Sequence, residues 1–136
     1  MRRPLALLCL PASALALAAC GTTTVSTSGF KGAQREVAQT ISNLQADATA
    51  GEQGKICAND LDAALVARLG GKKGCEAAIK SQLAQVDNLE ASVESVALAA
   101  NGRTATAQVK SIREGKSHPS TVALVLEGGK WKISGS

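Results

Sequence analysis

Few side chains in this sequence are equipped for chemistry. Among 136 residues there are four cysteines, Cys9, Cys20, Cys57 and Cys75, and one histidine, His118. Thiolates and imidazole together suit zinc, but no CxxC spacing is present and one histidine is too few for the usual ligand set. Nothing near Cys57 or Cys75 in sequence resembles a base that would make either thiol a nucleophile. Of the carboxylates, Glu94, Glu114 and Glu127 fall in strands or turns, while Asp47, Asp60, Asp62 and Asp87 fall on or beside helices. Their spacing proposes no carboxylate pair and no His–Asp couple, and no Gly-rich phosphate loop, HExxH or GxSxG occurs. The expectation is a chain with no catalytic residue, no metal and no cofactor, and with no buried acid/base pair. His118, next to Pro119, and Trp131 are the two side chains left as contacts for a ligand or partner. Their more ordinary places are a strand edge and the core beside Ile133.

Composition changes sharply at residue 20. Met1-Arg2-Arg3 is basic, and Leu5 to Ala19 is uncharged and apolar, interrupted by Pro11 and Ser13. As a helix that run reaches roughly 22 Å, short of the ~30 Å hydrocarbon core, and its length suits the apolar part of an export signal. Leu17-Ala18-Ala19-Cys20 then resembles the lipobox of bacterial lipoproteins: an aliphatic residue, two small residues and a cysteine. The resemblance covers residues 1–21. It implies that 1–19 are a signal peptide and that Cys20 receives the lipid, which holds the chain on the extracytoplasmic face of the cell membrane. Residues 20–29, rich in Thr and Ser, read as a flexible tether. In such an exported chain Cys9 is removed and Cys20 is acylated. A disulfide between the remaining Cys57 and Cys75 is then favoured over a metal pair or a free thiol, and closing that loop contributes roughly 3 kcal/mol.

The formal charge is +4, and loss of Arg2 and Arg3 with the signal halves it. Phe30 and Trp131 are the aromatic residues, too few for a stacking platform, so no nucleic-acid partner is expected. Lys72-Lys73, flanked by glycines in GGKKG, reads as a solvated turn that an anionic partner could meet.

The remaining pattern describes the elements that must position these groups. Phe30, Val37, Ile41, Leu44 and Ala48 fall on one helical face, which Gly51 and Gly54 end. A second helix starts with Asn59 as its cap, with Asp60 and Asp62 in its first turn and Arg68 in its last. Its stripe is Leu61, Leu65 and Leu69, and Gly70-Gly71 end it. Cys75, Ile79, Leu83 and Val86 mark a third. Past Asn88 the period alternates. A strand from Val93 reaches Asn101-Gly102, a two-residue hairpin signal. Arg103 to Arg113 sets Thr104, Thr106, Gln108 and Lys110 against Ala105, Ala107 and Val109. Ser120 to Leu126 forms a third strand, expected to be more buried, and Lys130 to Ile133 a short last one. The expected architecture is α+β, with two or three N-terminal helices packed on a four-stranded antiparallel sheet across one domain, 30–136.

With that element order, the Gly129-Lys130-Trp131-Lys132-Ile133 ending and the Cys57/Cys75 pair resemble the small NTF2-like, or cystatin-like, domains of bacterial lipoproteins. The resemblance implies a cone-shaped cavity. Three functions follow in order of expectation. The first is non-catalytic binding of a small apolar ligand or an envelope protein, and the second is a scaffold subunit of an envelope complex. The third is a small hydrolase or isomerase. A ligand binder needs an apolar cavity, roughly 300 Å³ or more, and a scaffold needs an exposed apolar patch on the sheet. An enzyme needs a buried ionisable group facing a cavity with a hydrogen-bond partner.

Overall fold

Helix α1 (Gly32–Thr49) buries Val37, Ala38 and Ile41 along one face. Gly51, at φ +70°, reverses the chain just past it, and the Glu52 N–H closes on the Asp47 carbonyl at 2.9 Å, the six-residue ring of a glycine C-cap. The computed structural model describes residues 25–85 and 90–135. Cys9, Cys20, Val86 and Asp87 lie outside them. Val25 is buried, so ordered packing starts ahead of Phe30, within the stretch read as tether.

After α1 the chain makes one short helical turn, α2 (Gln53–Lys55), and continues as a π-turn, Ile56–Asp60. The Leu61 N–H reaches back five residues to the Ile56 carbonyl at 3.1 Å, the wide ring that defines a π-turn. Ile56 is 1% exposed and anchors it in the core. Helix α3 (Ala63–Arg68) follows, and here the sequence expectation is corrected. Asp62 is the cap, its Oδ1 accepting from the Leu65 N–H at 2.7 Å, while Asn59 and Asp60 belong to the preceding π-turn. Leu61 lies between the two elements and pairs with Ile133 in a parallel bridge. Helix α4 (Gly71–Leu83) begins one turn earlier than expected, so Lys72 and Lys73 sit in its first turn and not in a loop. Gly70, at φ +97°, makes the break between α3 and α4. At Gly74 a Cβ would collide with the Leu69 carbonyl, so glycine is required there for the two helices to pack.

The strands β1 (Glu90–Leu98), β2 (Thr104–Arg113), β3 (Lys116–Glu127) and β4 (Lys130–Gly135) form an antiparallel meander in the order β1-β2-β3-β4. The fold is therefore α+β, helices packed with an open four-stranded sheet. The alternation of β2 is the clearest match between pattern and burial. Ala105, Ala107 and Val109 are buried, and Thr104, Thr106, Gln108 and Lys110 are exposed. Strand β3 departs from expectation. It starts four residues earlier, and of its twelve residues Leu124 alone is buried. The reason is pairing: β4 covers β3 only from Ala123 onward, so residues 116–122 are an edge, which also accommodates Pro119. The loop after β1 is longer than two residues, because the Ala99 N–H still bonds the Thr104 carbonyl at 2.9 Å. Within it Asn101 Oδ1 accepts from the Arg103 and Thr104 N–H groups, so asparagine acts through its side chain. The other two hairpins do have two-residue turns, Glu114-Gly115 and Gly128-Gly129, with positive φ at both positions, as the twist of paired strands favours.

The core lies between the sheet and the helices. Val37, Ile41, Ile56, Leu61, Leu124, Trp131 and Ile133 are its larger members. The free edge of β4 is covered: the Asp62 N–H donates to the Ile133 carbonyl at 2.9 Å and Arg68 Nη2 to the Ser134 carbonyl at 2.9 Å. Chain 61–68 thus occupies an edge that would otherwise be open to pairing.

Candidate functional site

The side of α1 away from its apolar stripe carries a polar row. Arg35, Gln39, Asn43 and Asp47 recur every four residues and so lie one above another. Gln39 Nε2 donates to Asn43 Oδ1 at 3.1 Å. Together with Glu36 and Thr40, the first three of these residues line one side of an open groove of about 810 Å³. Asn59 and Asp60 enter it from the π-turn, and Gly129, Lys130 and Trp131 from the β3–β4 turn and β4. The Thr40 hydroxyl bridges the two sides, donating to the Glu36 and Trp131 carbonyls at 3.2 and 3.3 Å. That hydroxyl is thereby committed to the backbone and is no free nucleophile.

Asp60 is the unusual member. It is 4% exposed, and its Oδ2 is buried without a hydrogen-bond partner. Burial drives its carboxyl up from 3.8 to about 7; the Asp47 carboxylate adds like-charge repulsion and a hydrogen bond to the protonated form, and Lys132 partly opposes them. Lys132 is held nearby, its Nζ donating to the Ala58 carbonyl at 3.3 Å. The cause is the π-turn. It turns the last residue of Ile56–Asp60 inward, where no helix N-terminus offers N–H groups to a carboxylate. A carboxyl in this range is part protonated at neutral pH and can give or take a proton.

Asp60 is thus a buried ionisable residue bordering the groove, which the sequence had not singled out, and Asp47, the carboxylate beside it, is half-buried. The groove also differs from the apolar cavity expected of a ligand binder, being open and lined by amide, charged and hydroxyl side chains with one indole. Among the described residues the outer sheet face is polar rather than apolar along β2. It carries Thr104, Thr106, Gln108 and Lys110 on β2, and Leu98, at 40%, is the one large hydrophobic residue exposed among the described residues.

The site residues expected from sequence are dispersed. Cys57 and Cys75 are joined as a disulfide, with Cα atoms 6.1 Å apart. It fastens the π-turn holding Asp60 to α4. Trp131 is 5% exposed and pairs across strands with Leu126; it is a core residue that also borders the groove. His118 is exposed on the β3 edge opposite Ser111, whose Oγ donates to the His118 carbonyl at 3.3 Å, and it takes no part in the groove. Cys20 lies outside the described residues. Sequence reasoning missed Asp60, Asp47 and the polar row. The four-residue spacing of Arg35, Gln39, Asn43 and Asp47 was a usable signal, but polar helix faces usually mean only solvent.

Among the described residues no helix is long and apolar enough to cross a membrane, and no group of three or more His, Cys, Asp or Glu side chains is placed to hold a metal ion. What fold and site define is a class, an α+β domain with a polar groove between its first helix and its last strand. Comparison with protein-family models, curated proteins and solved structures gave no match.

Proposed function

We propose that this chain is an exported lipoprotein, cleaved before Cys20 and anchored through it on the extracytoplasmic face of the cell membrane. Its α+β domain, taken as NTF2-like, serves as a binding module. The ligand sits in the groove along α1, and its chemistry is polar. The observation that carries this is the lining: amides at Gln39, Asn43 and Asn59, cations at Arg35 and Lys130, and the Trp131 ring, supplied by three separate elements. Such convergence of hydrogen-bonding groups beside an aromatic ring is how small-molecule sites fix orientation. Helices preceding an open four-stranded meander support the NTF2-like assignment. An envelope protein docking through an apolar sheet face is a weaker account, given the threonine-rich chemistry of that face.

A second reading, a small hydrolase or isomerase, is favoured by the buried Asp60 carboxyl bordering the same groove, pushed up to about 7 by burial. Native mass spectrometry of the full chain purified from its own host tests the binding module. The wild type is expected to carry a small polar adduct that Asn43→Ala with Lys130→Ala abolishes, and an adduct retained by that double variant would place the site elsewhere. An adduct that accumulates unaltered in Asp60→Asn, where the wild type converts it, would establish the enzymatic reading. Cys20→Ala is expected to lose its acyl mass and leave the membrane fraction; an unchanged membrane fraction would refute the anchor.

A further inference from the structure

The exposed lining of the groove carries more cation than carboxylate, and its hydrogen-bonding groups recur at the pitch of a helix. Together these name a ligand class; the inference rests on the groove being the binding site. Arg35 on α1 and Lys130 on β4 both line it and are exposed. Neither belongs to the Lys55–Glu52 ion pair, and neither makes a side-chain hydrogen bond among the described residues. Against these two cations the exposed lining sets one carboxylate, Glu36. Asp60 borders the groove as well, but it is 4% exposed, and burial holds its carboxyl protonated up to about pH 7. Below that pH the lining carries a surplus of one positive charge, and a monoanion balances it.

The rest of the lining describes what accompanies that charge. Arg35, Gln39 and Asn43 follow one another at four-residue intervals on α1, so each stands about one turn, ~5.4 Å, beyond the last. The bond from Gln39 Nε2 to Asn43 Oδ1 leaves the Gln39 oxygen to accept and the Asn43 amide nitrogen to donate, and Asn59 adds one of each. Acceptors and donors so closely mixed suit hydroxyls, which accept and donate at one atom. Trp131, the aromatic residue of the lining, is 5% exposed, which leaves little ring face for stacking a flat base. We propose that the groove takes a sugar acid. Its carboxylate lies on the Arg35 guanidinium, whose fork matches two oxygens, and its ring hydroxyls reach Gln39 and Asn43, one and two turns along. Lys130, from β4, adds attraction for the same charge.

Isothermal titration of the full chain below pH 7 with glucuronate, glucose and acetate tests this. Glucose keeps the ring without the charge, and acetate keeps the charge without the ring. Glucuronate is expected to bind, and each of the others to bind about tenfold more weakly or worse, for want of the charge-assisted contact or the hydroxyl contacts. Arg35→Gln should bring glucuronate down to the level of glucose, and Gln39→Ala with Asn43→Ala should bring it down toward acetate. Glucose binding as tightly as glucuronate overturns the proposal, because the charge then plays no part. Acetate binding as tightly overturns it too, because the ring then plays none, and so does the absence of any glucuronate binding at millimolar concentration. The three ligands are compared on the wild type alone, so the result stands even where a variant fails to fold. A polar adduct in native mass spectrometry combined with no glucuronate binding would sink the ligand class and keep the groove.

Discussion

Asp60 and Asp62 stand two residues apart, are 4% and 7% exposed, and are treated by the fold in opposite ways. Asp62 opens α3. Its Oδ1 takes the Leu65 N–H at 2.7 Å, while its own N–H goes to the Ile133 carbonyl at 2.9 Å. Asp60 closes the π-turn, facing Asp47 with an oxygen left unpartnered. Both carboxyls pay for desolvation, but only one is returned hydrogen bonds by local backbone geometry. A helix start satisfies a buried carboxylate; a helix end does not, and a proton takes the place of the missing donors. The first site belongs to structure, and the second is free for function.

The largest test of this contrast removes what holds the π-turn from outside. Cys57→Ser with Cys75→Ser is expected to lower unfolding free energy by roughly 3 kcal/mol, read by denaturant titration. An unchanged midpoint would mean that Ile56 and the core suffice to place Asp60. Next comes pH. The folded chain keeps the Asp60 proton up to about pH 7, whereas the unfolded chain releases it near the ordinary 3.8. Between those values the folded state binds more protons, so stability falls as pH rises from about 4 to 7, and the contribution is gone above that. Asp60→Asn should remove this slope and be more stable than wild type at pH 8, by on the order of 2 kcal/mol. Parallel stability–pH curves for the two proteins would show that Asp60 is not the group responsible. Smallest is Asp62→Ala, which loses a cap and is expected to cost about 1 kcal/mol at pH 7. A greater loss there than in the disulfide variant would reverse the ranking of the two segments.

Much of the fold could be read from periodicity, because periodicity records which face is buried. The stripe on α1 and the alternation of β2 are of that kind. Burial of β3 could not be read from its own residues, since the reach of β4 decides it, and β4 stops pairing at Ala123. The start of α3 failed for a different reason. Asn59, Asp60 and Asp62 are all competent caps, and the choice was made by the bridge between Leu61 and Ile133, a contact no local pattern encodes. The same contact turned Asp60 from a helix-start residue into a buried acid. The site was hidden wherever it depended on that one distant pairing, whereas the cysteine pair, joined as expected, was not.

The bridge between positions 61 and 133 also sets an order of events. The loop closed by Cys57 and Cys75 involves a short stretch of chain, complete once α4 has been made. The opposite wall of the groove comes from β4, at the far end of the polypeptide. As the chain emerges from its N-terminal end, the disulfide can therefore close while Asp60 is still exposed to water and ionised at neutral pH. Only when β4 arrives is the other wall of the groove beside that carboxyl in place, so completing the domain raises its affinity for a proton. Assembly of the last strand is thus tied to pH.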